Sequence, residues 1–365
     1  MSKHGKILVG MSGGVDSTVT ALLLHEQGYE VIGITLNILD YDYTGKRVTN
    51  PCCSLDSIMG AKEIADFIGF KHFIIDVKKE FQQRVVNEFV EQYMSGKTPN
   101  PCIKCNAEIK WGEMLNQADK WNCEKIATGH YAKVKFENNR YFLSKGKDKL
   151  KDQSYFLWAL NQELLSRTIF PLGDFTKPEV RSMAFTRGHT LIANKQENFD
   201  ICFVPDNNYR LFLQEKIPDL KSSYDGGNIL DTSGNIVGHH TGYMNYTIGQ
   251  RRGLNIAMGK PVYVIKIDAK SNTIVVGERE HLNRNGILVT DVIMQKYDNI
   301  TRPLPATTMV RYKSSGINSN VLPMKNNTQL EIQFEANVQG IAPGQSAVFY
   351  EGDDLVGGGI ISDSF

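Results

Sequence analysis

Short β-branched runs alternate with longer amphipathic stretches through the first two hundred residues of the chain. Lys6 to Val9, Val31 to Leu36, His72 to Asp76 and Lys125 to Thr128 predict strands. Asp16 to Gln27, Leu55 to Ile68, Glu80 to Tyr93 and Lys110 to Trp121 carry apolar residues at helical spacing, with Gly28 and Gly69 placed to stop two of these helices. Strands alternating with helices predict an α/β fold with a parallel sheet, whose ligands bind outside the carboxyl ends of the strands. The site is therefore expected in loops near residues 10 to 17, 36 to 53, 95 to 106 and 129 to 131. From about Tyr224 the texture changes. Gly, Asn and Asp turns separate alternating runs at Tyr263 to Ile267, Thr273 to Val276, Thr308 to Tyr312, Leu330 to Phe334 and Ser346 to Tyr350, which predict strands of small β domains. Pro303 and Pro305 read as an inter-strand segment, and no internal repeat interrupts the pattern.

Composition narrows the function. Lys plus Arg number 41 against 40 Asp plus Glu, a formal charge of +1, so any nucleic-acid partner must be held by local patches. No apolar run approaches the ~20 residues that span a bilayer, and the N-terminus lacks the apolar core of a signal peptide, so a cytoplasmic protein with no membrane role is expected. Its cysteines, at 52, 53, 102, 105, 123 and 202, would then sit in a reducing compartment, where thiols serve metals or chemistry more often than bridges.

Residues 12 to 17 read Ser-Gly-Gly-Val-Asp-Ser, directly after the first strand and at the start of a helix. Gly13 and Gly14 let backbone N–H groups form a nest, the helix terminus adds partial positive charge, and Ser12 and Ser17 add hydroxyls. A pyrophosphate can be cradled there without a lysine. The Lys of a Walker loop is missing, and so is a Rossmann fingerprint. The bland alternative is a tight turn with a Ser cap.

The loop resembles that of the PP-loop, or N-type, ATP pyrophosphatases, which cleave ATP to AMP and pyrophosphate and adenylate a substrate oxygen. Pro99-Asn100-Pro101-Cys102-Ile103-Lys104-Cys105-Asn106, Thr128-Gly129-His130-Tyr131-Ala132, Lys151-Asp152-Gln153-Ser154-Tyr155, Asp200-Ile201-Cys202-Phe203 and Thr247-Ile248-Gly249-Gln250-Arg251-Arg252-Gly253 follow in the order seen in the bacterial tRNA-specific 2-thiouridylases. Arg311-Tyr312 is a weaker late match. The resemblance implies a parallel-sheet PP-loop catalytic domain over 1–210, with a helical tRNA-binding insertion, a central β domain over 211–282 and a β-barrel over 283–365. It further implies ATP and Mg2+ as cofactors, tRNA as substrate, and 2-thiolation of the wobble uridine in tRNAs for Lys, Glu and Gln.

Replacing a carbonyl oxygen by sulfur needs a leaving group, which adenylation supplies, so ATP use and thiol chemistry belong together. Sulfur arriving as a persulfide also needs a second thiol to resolve the product. The resemblance gives Cys202 the persulfide and makes Cys105 the nucleophile that can form a disulfide with it. From the residues themselves, Cys105 reads as part of a Pro-flanked polar loop, while Cys202, between Ile201 and Phe203, also suits a buried structural thiol. Cys102 departs from the family, which usually carries Asp there. Three readings stand: a tolerated substitution beside the base, a 4Fe-4S cluster on Cys102, Cys105 and Cys202, or a zinc site to which Cys52 and Cys53 add ligands. Otherwise Cys52 and Cys53 are loop residues and Cys123 is core.

The resemblance assigns ATP contacts to Gly10, Met11, Ser12, Gly13, Gly14, Val15, Asp16, Ser17, Leu36 and Gly129. Asp16 would hold magnesium or orient pyrophosphate; it is equally a first-turn acid favoured by the helix dipole. tRNA contacts fall to Asn100, Pro101, Cys102, Lys151, Asp152, Gln153, Arg311 and Tyr312. Residues 125 to 151 hold eight cations against two acids, which reads as a phosphate track or a solvated face. Arg251, Arg252 and Lys260, interleaved with Tyr243 and Tyr246, suit RNA stacking, and His239 with His240 make a weak metal pair. A sulfur donor, either a cysteine desulfurase or a relay protein, is an expected partner, and the chain is expected to act as a monomer. The rivals are an amide-forming PP-loop synthetase, which would not need Cys105 and Cys202, and a non-catalytic RNA-binding protein with a vestigial nucleotide site.

Overall fold

The computed structural model describes residues 2–39, 55–194, 201–324 and 328–365. Strands β1 (Lys6–Gly10), β2 (Glu30–Asn37), β3 (Lys71–Asp76), β4 (Lys125–Ala127) and, after the hairpin β5 (Ala132–Glu137) and β6 (Arg140–Lys145), β7 (Thr168–Ile169) follow the chain. Five of them form a parallel sheet in the order β3-β2-β1-β4-β7. β1 is central and apolar because both its faces are covered. Ile7 and Val9 pack under helices α1 (Val15–Glu26) and α2 (Leu55–Ile68), while Leu8 faces Trp111, Met114 and Ala118 on the other side. Gly28 and Gly69 stop these two helices in the left-handed region, with φ of +94° and +93°.

The helical expectations need one correction. The second pair of helices begins earlier than the periodicity indicates, at Lys78 and Pro101, and each winds through a π-turn, at Gln82–Val86 and Cys105–Trp111. The segment Pro101 to Cys105 is thus helical, capped by the Asn100 side chain, which accepts from Cys102 N at 3.2 Å. Pro101 suits this start, since the first helical residue needs no N–H partner.

The rest is β structure. Strands β8 (Asp225–Leu230), β9 (Ile236–Thr241), β10 (Tyr263–Asp268) and β11 (Thr273–Gly277) make a four-stranded sheet ordered β10-β11-β8-β9. β12 (Arg284–Met294), β13 (Leu304–Met309), β14 (Ile317–Met324), β15 (Gln329–Val338), β16 (Ser346–Glu351) and β17 (Asp354–Ser364) close a six-stranded barrel through β12 to β17. The expected strand Thr308 to Tyr312 is displaced. β13 ends at Met309, and Arg311 with Tyr312 lies in the following turn, where Lys313 takes φ +60°. Pro305 falls inside β13, tolerated because its neighbour β16 pairs only with Thr307 to Met309.

The hairpin β5–β6 leaves the parallel-sheet domain and joins the barrel sheet beside β17, with Asp354 opposite Ser144. Gln295 seals the junction. Fully buried, its Nε2 donates to the carbonyls of Leu157, Trp158 and Leu160 at 3.0–3.2 Å, and its Oε1 accepts from Leu143 N at 3.1 Å. Each buried backbone group left without a partner costs about 1–3 kcal/mol. Gln295→Leu is therefore expected to destabilise the protein by about 3 kcal/mol, read as a lower urea midpoint.

Candidate nucleotide and thiol site

The Gly-rich loop lies where the parallel sheet predicts, between β1 and α1. Gly13 has φ +66°, and a Cβ there would stand 2.1 Å from Ser57 O of α2, so only glycine lets loop and helix approach. Ser12 N donates to Ser17 Oγ at 3.1 Å, and Ser17 Oγ and Thr18 Oγ1 return to Gly14 O at 3.1 and 2.9 Å. These bonds fix the curve of the loop. Gly14, the N-cap of α1, has no side chain to cap the first turn, a helix start suited to an anion. Met11 O is held from the side by Thr35 Oγ1 at 2.8 Å, which also pairs with His72 Nε2.

Asp16 turns inward to a partner that sequence reasoning missed. Lys177, only 6% exposed, sets its ammonium 2.9 and 2.8 Å from the two carboxylate oxygens, and Tyr131 OH donates to Oδ1 at 2.7 Å. The ammonium also lies over the Tyr131 ring at 5.8 Å. Gly129 packs on the same spot: a Cβ would meet the Asp16 carbonyl carbon at 2.7 Å and Ser17 N at 2.8 Å. Lys177 opens the helix Lys177–Thr186 behind a Thr176–Glu179 capping box. Thr-x-x-Glu in the sequence announces that helix start, but nothing in it announces a pairing 161 residues upstream.

A contiguous path joins this loop to the thiols. Thr128 Oγ1 pairs with His130 Nδ1 at 2.8 Å, and His130 packs on Trp111, centroids 5.4 Å apart, at the end of the π-turn that begins with Cys105. Burial pushes the His130 pKa down to about 3, with the Lys110 charge acting in the same direction. The burial of the two thiols reverses expectation. Cys105 is buried in the core cluster rather than in a polar loop, whereas Cys202 sits in a turn, half-buried at the edge of that cluster. Its neighbour Phe203 fixes the turn by edge contacts with Phe81, Phe89 and Phe212 at 5.1–5.6 Å.

Cys102, Cys105 and Cys202 lie close enough for their charges to interact. Burial pushes Cys102 up to about 11 and Cys105 up to about 12, and Lys110 opposes both shifts. Lys110 also donates to Asn106 Oδ1 at 2.9 Å, and Asn106 in turn donates to Phe156 O at 3.0 Å. Among the described residues no three His, Cys, Asp or Glu side chains form a metal-binding group, so this arrangement does not fit the three-thiolate cluster set, and His240 spends both ring nitrogens on Gly242 N and Asn272 O. Cys52, Cys53 and Asp200 lie outside the described residues. Cys123 is core, as expected.

The residues expected to touch tRNA are drawn toward the same region, several as braces. Asp152 accepts from Gly146 N at 3.0 Å and Ser154 Oγ at 2.8 Å, and burial raises its pKa. Gln153 Oε1 accepts from Tyr131 N at 3.0 Å, and Tyr312 packs on Phe156 at 4.3 Å. Lys151 precedes them, Arg311 is exposed, and Leu36 ends β2 against the core. The basic run 125 to 151 is no bare phosphate track. Lys133, Lys135, Arg140, Lys147 and Lys149 pair with Asp174, Asp354, Asp298, Glu179 and Asp353 at 2.6–3.0 Å. Lys145 lies over Tyr350, and Lys125 donates to Ser166 O.

Along its whole length the chain is similar to curated bacterial proteins. It is 50% identical to tRNA-specific 2-thiouridylase MnmA of Cytophaga hutchinsonii, over 100% of this chain and 99% of that one. The protein of the same name from Amoebophilus asiaticus is 49% identical over 100% and 96%. The chain belongs to the tRNA-specific 2-thiouridylase family. Family models match in three consecutive blocks, described as a tRNA methyl transferase HUP domain over 5–206, a PRC-barrel domain over 210–278 and an aminomethyltransferase beta-barrel domain over 284–361. Those descriptions speak of methyl transfer; the full-length thiouridylase relatives are the more specific likeness. Among solved structures, a 4-thiouridine synthetase–RNA complex with bound ATP matches with TM-score 0.36 and 17% identity over 59% of this chain and 51% of that one. An NH3-dependent NAD synthetase from Campylobacter jejuni matches with TM-score 0.33 and 15% identity over 52% and 67%.

The Asp16 clamp and the buried imidazole each carry a prediction. Lys177→Met removes the clamp on Asp16 and is expected to weaken adenine-nucleotide binding about tenfold, the equivalent of ~1.4 kcal/mol, with Lys177→Arg retaining most of it; titration calorimetry reads this. His130 is held neutral in the fold but takes a proton when unfolded below about pH 6.5, so the unfolded state binds more protons between about pH 6.5 and 3. Stability should fall with pH in that window by up to ~1.4 kcal/mol per unit from this group, and His130→Phe should flatten the fall in acid-unfolding curves.

Proposed function

We propose that the chain is an ATP-dependent tRNA 2-thiouridylase that adenylates the C2 oxygen of the wobble uridine in tRNAs for Lys, Glu and Gln and replaces it with sulfur. The observation that supports this reading is that Cys105 and Cys202, from distant parts of the chain, pack on one cluster near enough for their charges to interact, with Trp111, His130 and Gly129 leading from there to the Ser12–Ser17 loop. The residues fit ATP. Gly10 to Ser17 offer the curved backbone and the helix terminus to the phosphates, Gly129 lies beside them, and Leu36, near the carboxyl end of β2, takes the adenosine. Magnesium supplies charge neutralisation on the phosphates when bound. Asp16 is held by Lys177 and Tyr131, so its work is to fix the loop rather than to supply an open carboxylate.

In the reaction the uridine O2 attacks the α-phosphorus of ATP and pyrophosphate leaves. The terminal sulfur of a persulfide on Cys202 attacks C2, and AMP departs with the original oxygen. Cys105 thiolate then attacks Cys202 Sγ, forming a Cys105–Cys202 disulfide while the S–S bond to the transferred sulfur breaks and leaves 2-thiouridine. Two thiols are oxidised as the persulfide sulfur is reduced, so an external thiol must reduce the disulfide before the next turnover. A cysteine desulfurase or relay protein supplies the persulfide, and Cys102 stands by as a tolerated substitution beside Asn100 and Pro101 at the base. Lys151, Asp152, Gln153, Arg311 and Tyr312 bear on the tRNA around this centre, with Asp152 and Gln153 acting chiefly by bracing the segment that presents Lys151. The enzyme works as a cytoplasmic monomer.

The test is thiolation of wobble-uridine tRNA with ATP and a persulfide donor, read by mass spectrometry of the nucleosides. Cys105→Ala and Cys202→Ala should each abolish 2-thiouridine while tRNA-dependent pyrophosphate release persists, and Cys102→Ala should retain most activity. Full activity in the double Cys105, Cys202 variant would sink the proposal in favour of a ligase that needs neither thiol.

A further inference from the structure

The run of cations between 125 and 151, the obvious place to bind RNA, is largely neutralised by acids from other segments. A different basic surface is not. Where the helix Tyr209–Lys216 meets the central β domain, an open cleft of about 610 Å³ is lined by Arg210, Thr241, Asn245, Tyr246, Gln250 and Arg252, and no carboxylate side chain lines it among the described residues. The neighbouring cleft of about 450 Å³, which begins at Gln214 of the same helix, is lined by Asp219 and Asp225 against the single cation Lys221, a less favourable lining for a polyanion. The geometry points to the Arg210–Arg252 cleft as a binding site for the RNA sugar-phosphate backbone, deepening the tRNA-thiolating reading on which it rests.

The two guanidiniums reach the cleft from separate elements. Arg210 is prearranged: its Nε and Nη2 donate to Asn245 O at 3.0 and 2.9 Å, and it lies over the Tyr209 ring at 5.2 Å. Arg252 is exposed, its loop shaped by Gln250 Nε2 donating to the Arg252 carbonyl at 2.9 Å, and Arg251 beside it is exposed as well. Planar guanidiniums with amide and hydroxyl donors between them match phosphate oxygens bidentately, and a cleft this open suits a length of backbone rather than a lone anion.

The cleft is rigidly coupled to the thiols. Arg210 stands eight positions after Cys202 (210 − 202). Its helix anchors through Phe212, 5.4 Å from Phe203, and Tyr209 stacks on Tyr93 at 4.6 Å. The aromatic cluster that holds the Cys202 turn therefore also holds the cleft, so RNA gripped here is set at a fixed offset from the persulfide position.

Filter binding of unmodified wobble-uridine tRNA to the full-length protein across 50 to about 200 mM salt tests the assignment, since each phosphate contact contributes about 0.7–0.9 to the slope of log K against log salt. Arg210→Gln with Arg252→Gln should flatten that slope by about 1–2 and weaken binding at least about tenfold near 0.1 M salt, whereas the double Lys variant should keep most of the slope. Arg252→Gln alone, at an exposed side chain, should flatten the slope by about 1. An unchanged slope and affinity in these variants, with the wild-type protein binding and thiolating tRNA, would overturn the cleft and leave the thiouridylase reading standing. Failure of the wild type to bind or thiolate tRNA would overturn both.

Discussion

A buried ammonium on a carboxylate organises the catalytic domain. Lys177 is nearly inaccessible, and a lysine removed from water is tolerated only when its charge is met, here by both oxygens of Asp16. The pair ties the first turn of α1 to a helix more than 150 residues later and, through Tyr131, to the segment after β4. With Asp16 fixed, Gly129 can seat its backbone against Asp16 and Ser17, and the loop between β1 and α1 keeps the curve that leaves N–H groups pointing outward. An anion site made of backbone dipoles binds well only if those dipoles need not be reoriented when the anion arrives. The pair thus supplies preorganisation, which is why its partners come from three separated stretches of chain.

The same logic extends outward to the β domains. The stretch just before the helix that carries Cys105 is bound at both ends of its turn: Thr98 N donates to Pro343 O at 2.9 Å, Gln345 Nε2 donates to Thr98 O at 2.7 Å, and Tyr243 OH donates to Met94 O at 2.6 Å. The barrel and the central sheet therefore grip one short segment from opposite sides. On the far side of the barrel, the β5–β6 hairpin and Gln295 join it to the segment holding Lys151 to Gln153. A macromolecule lying across three domains can be presented to a buried thiol with ångström precision only when such bonds suppress hinge motion.

Local pattern made much of this legible and non-local pairing hid the rest. The alternation of strands and helices set out the parallel sheet, and Gly28 and Gly69 marked helix ends, because propensity and burial act over a few residues there. The Gly-rich loop was readable for the same reason. Lys177 was opaque, since a lysine at a helix start ordinarily points to solvent and only the fold brings Asp16 beneath it. The cations between Lys133 and Lys149 show the opposite limit: their partners Asp174, Asp298, Asp353 and Asp354 lie tens to hundreds of residues away, out of reach of a local charge count. Cys105 was placed in a loop because two prolines flank the motif, yet Pro101 stands at the first helical position, where proline starts helices rather than breaking them.

Burial of the thiols has a chemical consequence. The proposed mechanism brings Cys105 to Cys202, with Cys102 close by, and sulfurs this near are also in danger of joining uselessly, because a thiolate close to a second sulfur is readily oxidised to a disulfide. Burial raises Cys102 to about 11 and Cys105 to about 12, so near neutral pH both remain protonated and slow to react. Lys110 is the cation that favours the thiolate of each, and it is tethered to Asn106 on the same π-turn, while Asn106 is fastened to Phe156. The chain from Phe156 through Asn106 and Lys110 to the thiols begins beside Gln153 and Tyr312, the residues brought together next to the nucleotide loop. On the proposed mechanism burial therefore keeps Cys105 slow to react at rest, where an exposed, permanently ionised cysteine would stand open to oxidation.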